Sequence, residues 1–268
     1  MKIVITDAIK SAKLSIIFSN LKSFASFVTL RFKEEGLYMQ VMDFSKVCLF
    51  ECNIHKDWFN EYDFQKNDDI ESLTLSSLII SKIISTFVDG QTMTISANNT
   101  SDKVSMSFTG SNSSYNKHFE MPIIDNEDDI VTIPNSSEIG TGTSEVDIAL
   151  PSSNFAELIG QFQVFNDTIQ LTFSDEGISM MASGDEGSMT ADMSLDDVIE
   201  YSIAEDTTLV QSFALRYIST MCSFGKIAEE VSMEFNEHYP MVLIYNFGET
   251  ESESTCNLRF YLAPKIED

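Results

Sequence analysis

The sequence predicts an α+β chain made of two similar halves, each with two short helices and a set of antiparallel strands. Three observations predict it. Residues 30–43, LRFKEEGLYMQVMD, align with 171–185, LTFSDEGISMMASGD, each a strand, an acidic turn ending in glycine and a second strand. Residues 73–87, LTLSSLIISKIISTF, align with 213–227, FALRYISTMCSFGKI, at nearly the same spacing of about 140 residues. Upstream of both members of the first pair lies a segment with apolar residues at i, i+3, i+4 and i+7, the pattern of a helix that buries one face. A spacing shared by two separated blocks marks an internal duplication.

Along the chain, Leu14, Ile17, Phe18 and Leu21 form the first apolar stripe, on a helix expected over 10–24. The strand pair 30–43 follows, then a helix over 74–87 and the alternating segments MTISANN (93–99) and VSMSF (104–108). Residues 119–147 are acidic, rich in turn formers and contain two prolines, so they read as an extended connector. Its portion 119–140 is taken as the loop joining domain 1–118 to domain 141–268. In the second half Phe155, Leu158, Ile159 and Phe162 repeat the stripe on a helix over 152–165. A helix over 212–226 and the alternating segments VSMEFNE (231–237) and MVLIYNF (241–247) complete the copy.

Hydrophobic residues make up 43% and aromatics 11% of the 268 residues, which supplies a real core and excludes wholesale disorder. The formal charge of -26 argues, as a total, against nucleic acid, because phosphate binding needs Lys and Arg. Its distribution argues otherwise. The four expected helices, about 58 residues together, hold six of the sixteen basic residues (Lys10, Lys13, Lys22, Lys82, Arg216 and Lys226) and one of the forty-two acids, Glu157. A helical face cleared of acid, on a chain acidic elsewhere, suits contact with a polyanion on one side and repulsion on the others.

Catalytic motifs are missing. No GxxxxGK[ST], GxGxxG or HExxH occurs, and the three histidines, His55, His118 and His238, have no repeated partner, so neither catalysis nor a cofactor is expected. Cys48, Cys52, Cys222 and Cys256 lack the spacing of a disulfide framework or a zinc site and are expected as reduced thiols. The run DNEDD lacks the central Gly and distal Glu of a calcium loop, so no metal is expected. MKIVITDAIKSAK is no secretory signal and no stretch is apolar enough to span a membrane, which leaves nucleus or cytoplasm as the expected compartment.

FYLAPKIED (260–268), FALRY (213–217), MQVMDFSKV (39–47), IIDNEDDIVTIPN (123–135) and ALPSSNFAEL (149–158) resemble, in order along the whole chain, the eukaryotic-type sliding clamp family, proliferating cell nuclear antigen. The resemblance implies two duplicated clamp domains per chain, helices on the inner face, antiparallel sheets outside, and a ring-forming homotrimer. It implies a nuclear processivity factor, or one in a viral replication compartment. Such a factor encircles double-stranded DNA without reading sequence and recruits DNA polymerase, clamp loader, nuclease and ligase through a short clamp-binding peptide.

By resemblance Lys22, Lys82 and Arg216 line the pore, and helix charge adds Lys10, Lys13 and Lys226. The peptide, a Gln followed by an aliphatic residue and two aromatics, is expected against Met42, Lys46, Val47, Val131, Ile133, Pro134, Pro240, Tyr261, Ala263 and Pro264, with Lys46 in place of the usual His. Residues 262–266 could offer it backbone groups as an edge strand does. Phe119, Phe162 and Phe165 are expected at the trimer interface, although Phe162 also belongs to the core stripe. The chain departs from its relatives where Glu157, Gly160, Gln161, Gln163 and Ser223 stand in helices that are usually more basic, which predicts a less positive pore. The alternative is a clamp-like accessory factor for polymerase or transcription machinery that does not form a closed ring.

Overall fold

A computed structural model of the chain describes all residues except 67–69, 99, 111–114, 126–129, 134–143 and 267–268. The chain divides into two compact units. Unit 1 comprises Met1–Phe44, Phe50–Asp129 and Asn246–Leu258; unit 2 comprises Ser45–Leu49, Ile130–Tyr245 and Arg259–Asp268. Two short segments therefore depart from the simple division expected at 118 and 141. Asn246–Leu258 joins unit 1 because Phe247 is buried there, edge-on to Trp58 with centroids 5.8 Å apart.

Unit 1 runs β1 (Lys2–Ile5), α1 (Ala8–Leu21), β2 (Phe27–Lys33), β3 (Gly36–Met42), β4 (Cys48–His55), β5 (Glu61–Asp63), β6 (Ser72–Ser76), α2 (Ser77–Ile84), β7 (Thr92–Ser96), β8 (Lys103–Thr109) and β9 (Lys117–Pro122). Its strands lie in the orders β5-β1-β7-β8-β9 and β4-β3-β2-β6. Unit 2 runs β10 (Val146–Pro151), α3 (Ser152–Phe162), β11 (Thr168–Ser174), β12 (Gly177–Gly184), β13 (Gly187–Met193), β14 (Glu200–Ile203), β15 (Thr208–Ala214), α4 (Leu215–Cys222), β16 (Glu230–Phe235), β17 (Met241–Asn246) and β18 (Asn257–Leu262). Here the orders are β13-β12-β11-β15 and β14-β10-β16-β17-β18. Each unit is thus a pair of helices with two antiparallel sets of strands, the duplicated α+β architecture the repeats predict.

The duplication reaches individual backbone contacts. Gly36 and Gly177 close the two acidic turns at φ +148° and +151°, a region that glycine adopts at little cost. A Cβ on Gly36 would stand 2.1 Å from Ile54 O, and one on Gly177 3.0 Å from Met193 O. The first residue of α2 donates its N–H to Ser26 O at 3.0 Å, and the first residue of α4 donates to Asp167 O at 2.9 Å. Ile124 N–H bonds Thr74 O on the rim of β6 at 2.9 Å, and Lys265 N–H bonds Ser212 O on the rim of β15 at 2.7 Å.

The apolar stripes become core as expected. Leu14, Ile17, Phe18 and Leu21 are buried, as are Phe155, Ile159 and Phe162, while Leu158 is half-buried. Both α2 and α4 begin three residues later than expected, because Thr74–Ser76 and Ser212–Ala214 pair as strand ends in β6 and β15. The expected connector loses its first four residues, Phe119–Pro122, to β9, where Met121 points into the core.

Candidate functional site

In unit 1 the helices α1 and α2 lie side by side, with Ser81 Oγ donating to Ser19 O at 3.3 Å. Asp7 caps α1 by accepting the Lys10 N–H at 2.9 Å. This start places Lys10 and Lys13 on the first two turns, where both meet carboxylates. Lys10 Nζ lies 2.6 Å from Glu253 Oε1 and 5.6 Å from the centre of the Trp58 ring, with side-chain exposures of 17% for Lys10 and 4% for Glu253. Lys13 Nζ lies 2.9 Å from Glu249 Oε1 and 3.2 Å from Phe247 O.

The turn that presents these acids is tight. A Cβ on Gly248 would stand 2.0 Å from Glu253 O, so only glycine fits. Burial works to raise the Glu253 pKa, but the Glu249 N–H, the Lys10 hydrogen bond and the charges of Lys10 and Lys13 outweigh it and hold the carboxyl below its ordinary value. Lys10 and Lys13, nominated by helix charge, are therefore already neutralised inside their own unit. Lys22, at the C-terminal cap of α1, and Lys82, on α2, are exposed and have no carboxylate partner among the described residues. On the same two helices Ile9, Leu78 and Ile79 are also exposed, apolar positions that a search for charge overlooks.

In unit 2, α3 carries Glu157, exposed and accepting from Gln161 Nε2 at 3.4 Å. It is the single carboxylate among the described residues of the four helices. Arg216 on α4 is exposed and folded over its neighbour, with Nη2 donating to Tyr217 Oη at 3.0 Å and the guanidinium 4.7 Å from the ring centre. Lys226 is exposed on the single turn Gly225–Ile227 beyond α4, so it projects from a loop rather than the helix expected to carry it.

Of the expected peptide wall, unit 2 brings Val47 and Ala263 together, with Ala263 N–H donating to Val47 O at 3.1 Å. Tyr261, Pro264 and Ile133 are half-buried, and Val131, Pro240 and Lys46 are exposed. Met42 is half-buried at the end of β3 in unit 1, and Pro134 lies outside the described residues. Sequence reasoning missed Lys265, whose N–H holds β15 and whose Nζ donates to Thr168 Oγ1 at 2.6 Å, fixing the tail in place. Nothing in its residue type announces that role.

The three candidate interface aromatics divide. Phe119 on β9 is half-buried, 5.6 Å from Phe108, and Phe165 is half-buried after α3. Phe162 is 0% exposed in its own unit, so it is core and has no surface to offer another chain. β9 and β13 each end a sheet, with β8 and β12 as their single partners among the described residues. The rims of β6 and β15 are already engaged by Ile124 and Lys265, and the other end strands of these units, β5 and β14, have three and four residues against six and seven in β9 and β13.

The chemistry of a nucleophile is weak in what is described. Burial pushes the Cys222 thiol up to about 12 and that of Cys256 to about 11, so neither supplies thiolate near neutrality. Among the described residues no group of three or more His, Cys, Asp and Glu could hold a metal ion, and no helix is long and apolar enough to cross a membrane.

Residues 8–130 match the N-terminal domain of proliferating cell nuclear antigen, and residues 140–265 match its C-terminal domain. The chain is similar to proliferating cell nuclear antigen 2 of Drosophila melanogaster, 27% identical over 240 residues that cover 90% of this chain and 89% of that protein. The two matched domains follow the duplicated halves in order, and with the acid-poor helices and antiparallel sheets of each unit they show that the chain belongs to the proliferating cell nuclear antigen family of sliding clamps.

Proposed function

We propose that three copies of this chain close head to tail into a ring around duplex DNA and tether replication and repair enzymes to it. The observation that carries the proposal is the near-absence of acid from the four helices of a chain with net charge -26, where Glu157 is the one exception among the described residues. Helices cleared of repulsion suit an inner wall that DNA can pass; the acid elsewhere discourages sideways adsorption and leaves threading as the productive mode.

Lys22, Lys82, Arg216 and Lys226 supply the phosphate contacts of that wall, with Lys10 and Lys13 held in reserve by Glu253 and Glu249. Few and weak contacts are an advantage here. A closed ring stays on DNA by topology, so affinity adds friction rather than retention, and backbone contacts that read no bases permit sliding. The long open edges of β9 and β13 support closure: pairing β9 of one copy with β13 of the next continues the sheets between chains, with Phe119 and Phe165 in the joint. Clients are polymerase, clamp loader, nuclease and ligase, docking a short peptide on Met42, Lys46, Val47, Val131, Ile133, Pro134, Pro240, Tyr261, Ala263 and Pro264. The protein acts as a tether rather than a catalyst, in the nucleus or a viral replication compartment.

Light scattering should give a mass near three times 30.1 kDa. After loading, the protein should stay on closed circular DNA and run off linear DNA of the same sequence. A monomer at micromolar concentration, lost equally from both DNAs, refutes the ring and favours the open accessory factor, for which the engaged Lys10 and Lys13 and the acid at Glu157 are the observations to weigh.

A further inference from the structure

A cavity of about 260 Å³ opens in unit 1 beside the acidic turn that joins β2 to β3. Its aromatic lining is Phe32, buried, and Phe64, half-buried, with ring centres 6.2 Å apart. These two end a row of rings that runs through Tyr62, 6.4 Å from Phe64, to Phe59, stacked on Tyr62 at 5.5 Å. The rest of the lining is Glu34, Glu35, Glu71, Lys33 and Lys66. The backbone under these acids is pinned. Tyr62 Oη lies 2.8 Å from both Lys33 O and Gly36 O, which ties the turn to β5. Lys56 N–H donates to Glu35 O at 2.8 Å, and Phe32 N–H donates to Glu71 O at 2.8 Å. A site ordered in the free protein loses little freedom on binding. Among the described residues none of Glu34, Glu35 and Glu71 has an ion-pair partner. Lys33 Nζ stands instead 4.1 Å from the centre of the Tyr38 ring. Three acids against two lysines leave the lining with an excess of negative charge, to which the exposed Asp63, next to Phe64 in the chain, adds.

We propose that this cavity takes one arginine side chain of a partner protein. A planar guanidinium stacks on an aromatic ring and bonds a carboxylate with two parallel N–H groups, so rings and unpaired carboxylates in one cavity match it better than they match the compact ammonium of lysine. The cavity is smaller than the ~300–1,000 Å³ of sites that enclose a whole small molecule, so it suits a single side chain. No group of three ligating residues among those described could hold a metal ion, so the matching cation is an organic one. The site shares no residue with the proposed DNA-facing cations or with the peptide wall. It is a second point of attachment, open to a partner with a basic surface whether or not the ring closes.

The test titrates the full-length protein into three fluorescent pentapeptides and follows anisotropy: Gly-Ser-Arg-Ser-Gly, and the same peptide with lysine or citrulline at its centre. The arginine peptide should bind about fivefold more tightly than the lysine peptide and about tenfold more tightly than the citrulline peptide, which keeps the shape of the side chain without its charge. Phe64→Ser and Glu71→Gln should each weaken the arginine peptide about fivefold. Thermal unfolding checks that each variant is folded. Glu71→Gln keeps the size of the side chain and the backbone carbonyl that Phe32 bonds, so it carries the test should Phe64→Ser fail to fold. Equal binding of the arginine and lysine peptides would mean that an acidic chain attracts any cation, and would refute the pocket. An arginine affinity that survives Glu71→Gln combined with Glu34→Gln would refute it as well.

Discussion

Glu253→Gln isolates the ion pair that withdraws Lys10 from the helix surface. The substitution keeps the shape of the side chain and an oxygen for the Glu249 N–H, and removes the charge facing Lys10 at 2.6 Å. Removing one partner of a fully buried pair costs ~3–5 kcal/mol, since the other charge is left uncompensated. Glu253 is 4% exposed but Lys10 is 17% exposed, so water recovers part of the loss, and about 2–3 kcal/mol is expected at pH 7. For a chain of this size that corresponds to a fall of about 5–10 °C in Tm.

The pH dependence has a definite sign. The folded pKa of Glu253 is lowered, so the pair's contribution is present above the unfolded carboxylate value of about 4.3 and is lost as pH falls through the folded value. Urea unfolding of both proteins at fixed concentration, from pH 7 down to the acid limit of folding, should show a gap that narrows below about pH 4. The variant should also bind a short duplex with a steeper salt dependence, because Lys10 is released. An unfolding free energy within about 0.5 kcal/mol of the parent at pH 7, or a gap that does not change with pH, refutes the reasoning.

Lys22→Ala and Lys82→Ala should each weaken duplex binding equally for all sequences and flatten the slope of log K against log salt by about 0.9 for each phosphate no longer neutralised, while Glu157→Lys should steepen it. Phe162→Ala should cost ~3–5 kcal/mol in urea unfolding as a core truncation, with no selective loss of assembly by light scattering under conditions where the chain is folded. Glu234 lies opposite Asp147 across the β10–β16 ladder, and although its side chain is exposed, partial desolvation first and the Asp147 charge second raise its pKa against the opposing pull of Arg259. A raised carboxyl pKa means that ionisation penalises the folded state above that pKa. Because water screens an exposed carboxylate, Glu234→Gln should stabilise only slightly at pH 7, with the difference closing as pH falls through the folded value; a difference that widens on acidification overturns the assignment.

The sequence showed the duplication because folding had to satisfy the same local rules twice. The Leu14 and Phe155 stripes, the glycines at 36 and 177 and the alternating strands are constraints within a few residues of one another, and such constraints leave a period in the text. Helix ends were less legible, since Thr74–Ser76 and Ser212–Ala214 fit the start of a helix as well as the end of a strand and were drawn into β6 and β15 by their ladder partners. The fate of the lysines was not legible. Lys10 and Glu253 are 243 positions apart, and no local pattern says which of the many acids will fold back onto α1.

The two rims already bridged, β6 by Ile124 and β15 by Lys265, bear on how copies of the chain count one another. With those rims engaged, the long edges left among the described residues are β9 and β13, and because the two differ in sequence the proposed pairing of one with the other gives every joint a direction. A chain with a blocked β9 is then a terminator at one end, and a chain with a blocked β13 a terminator at the other. Mixed together, the two kinds can make one sound joint and stop at a pair, whereas either kind alone stays single. In the proposed ring the rotation at each such joint decides whether the copies close on themselves or run on, and a closed ring offers opening machinery one kind of seam to part.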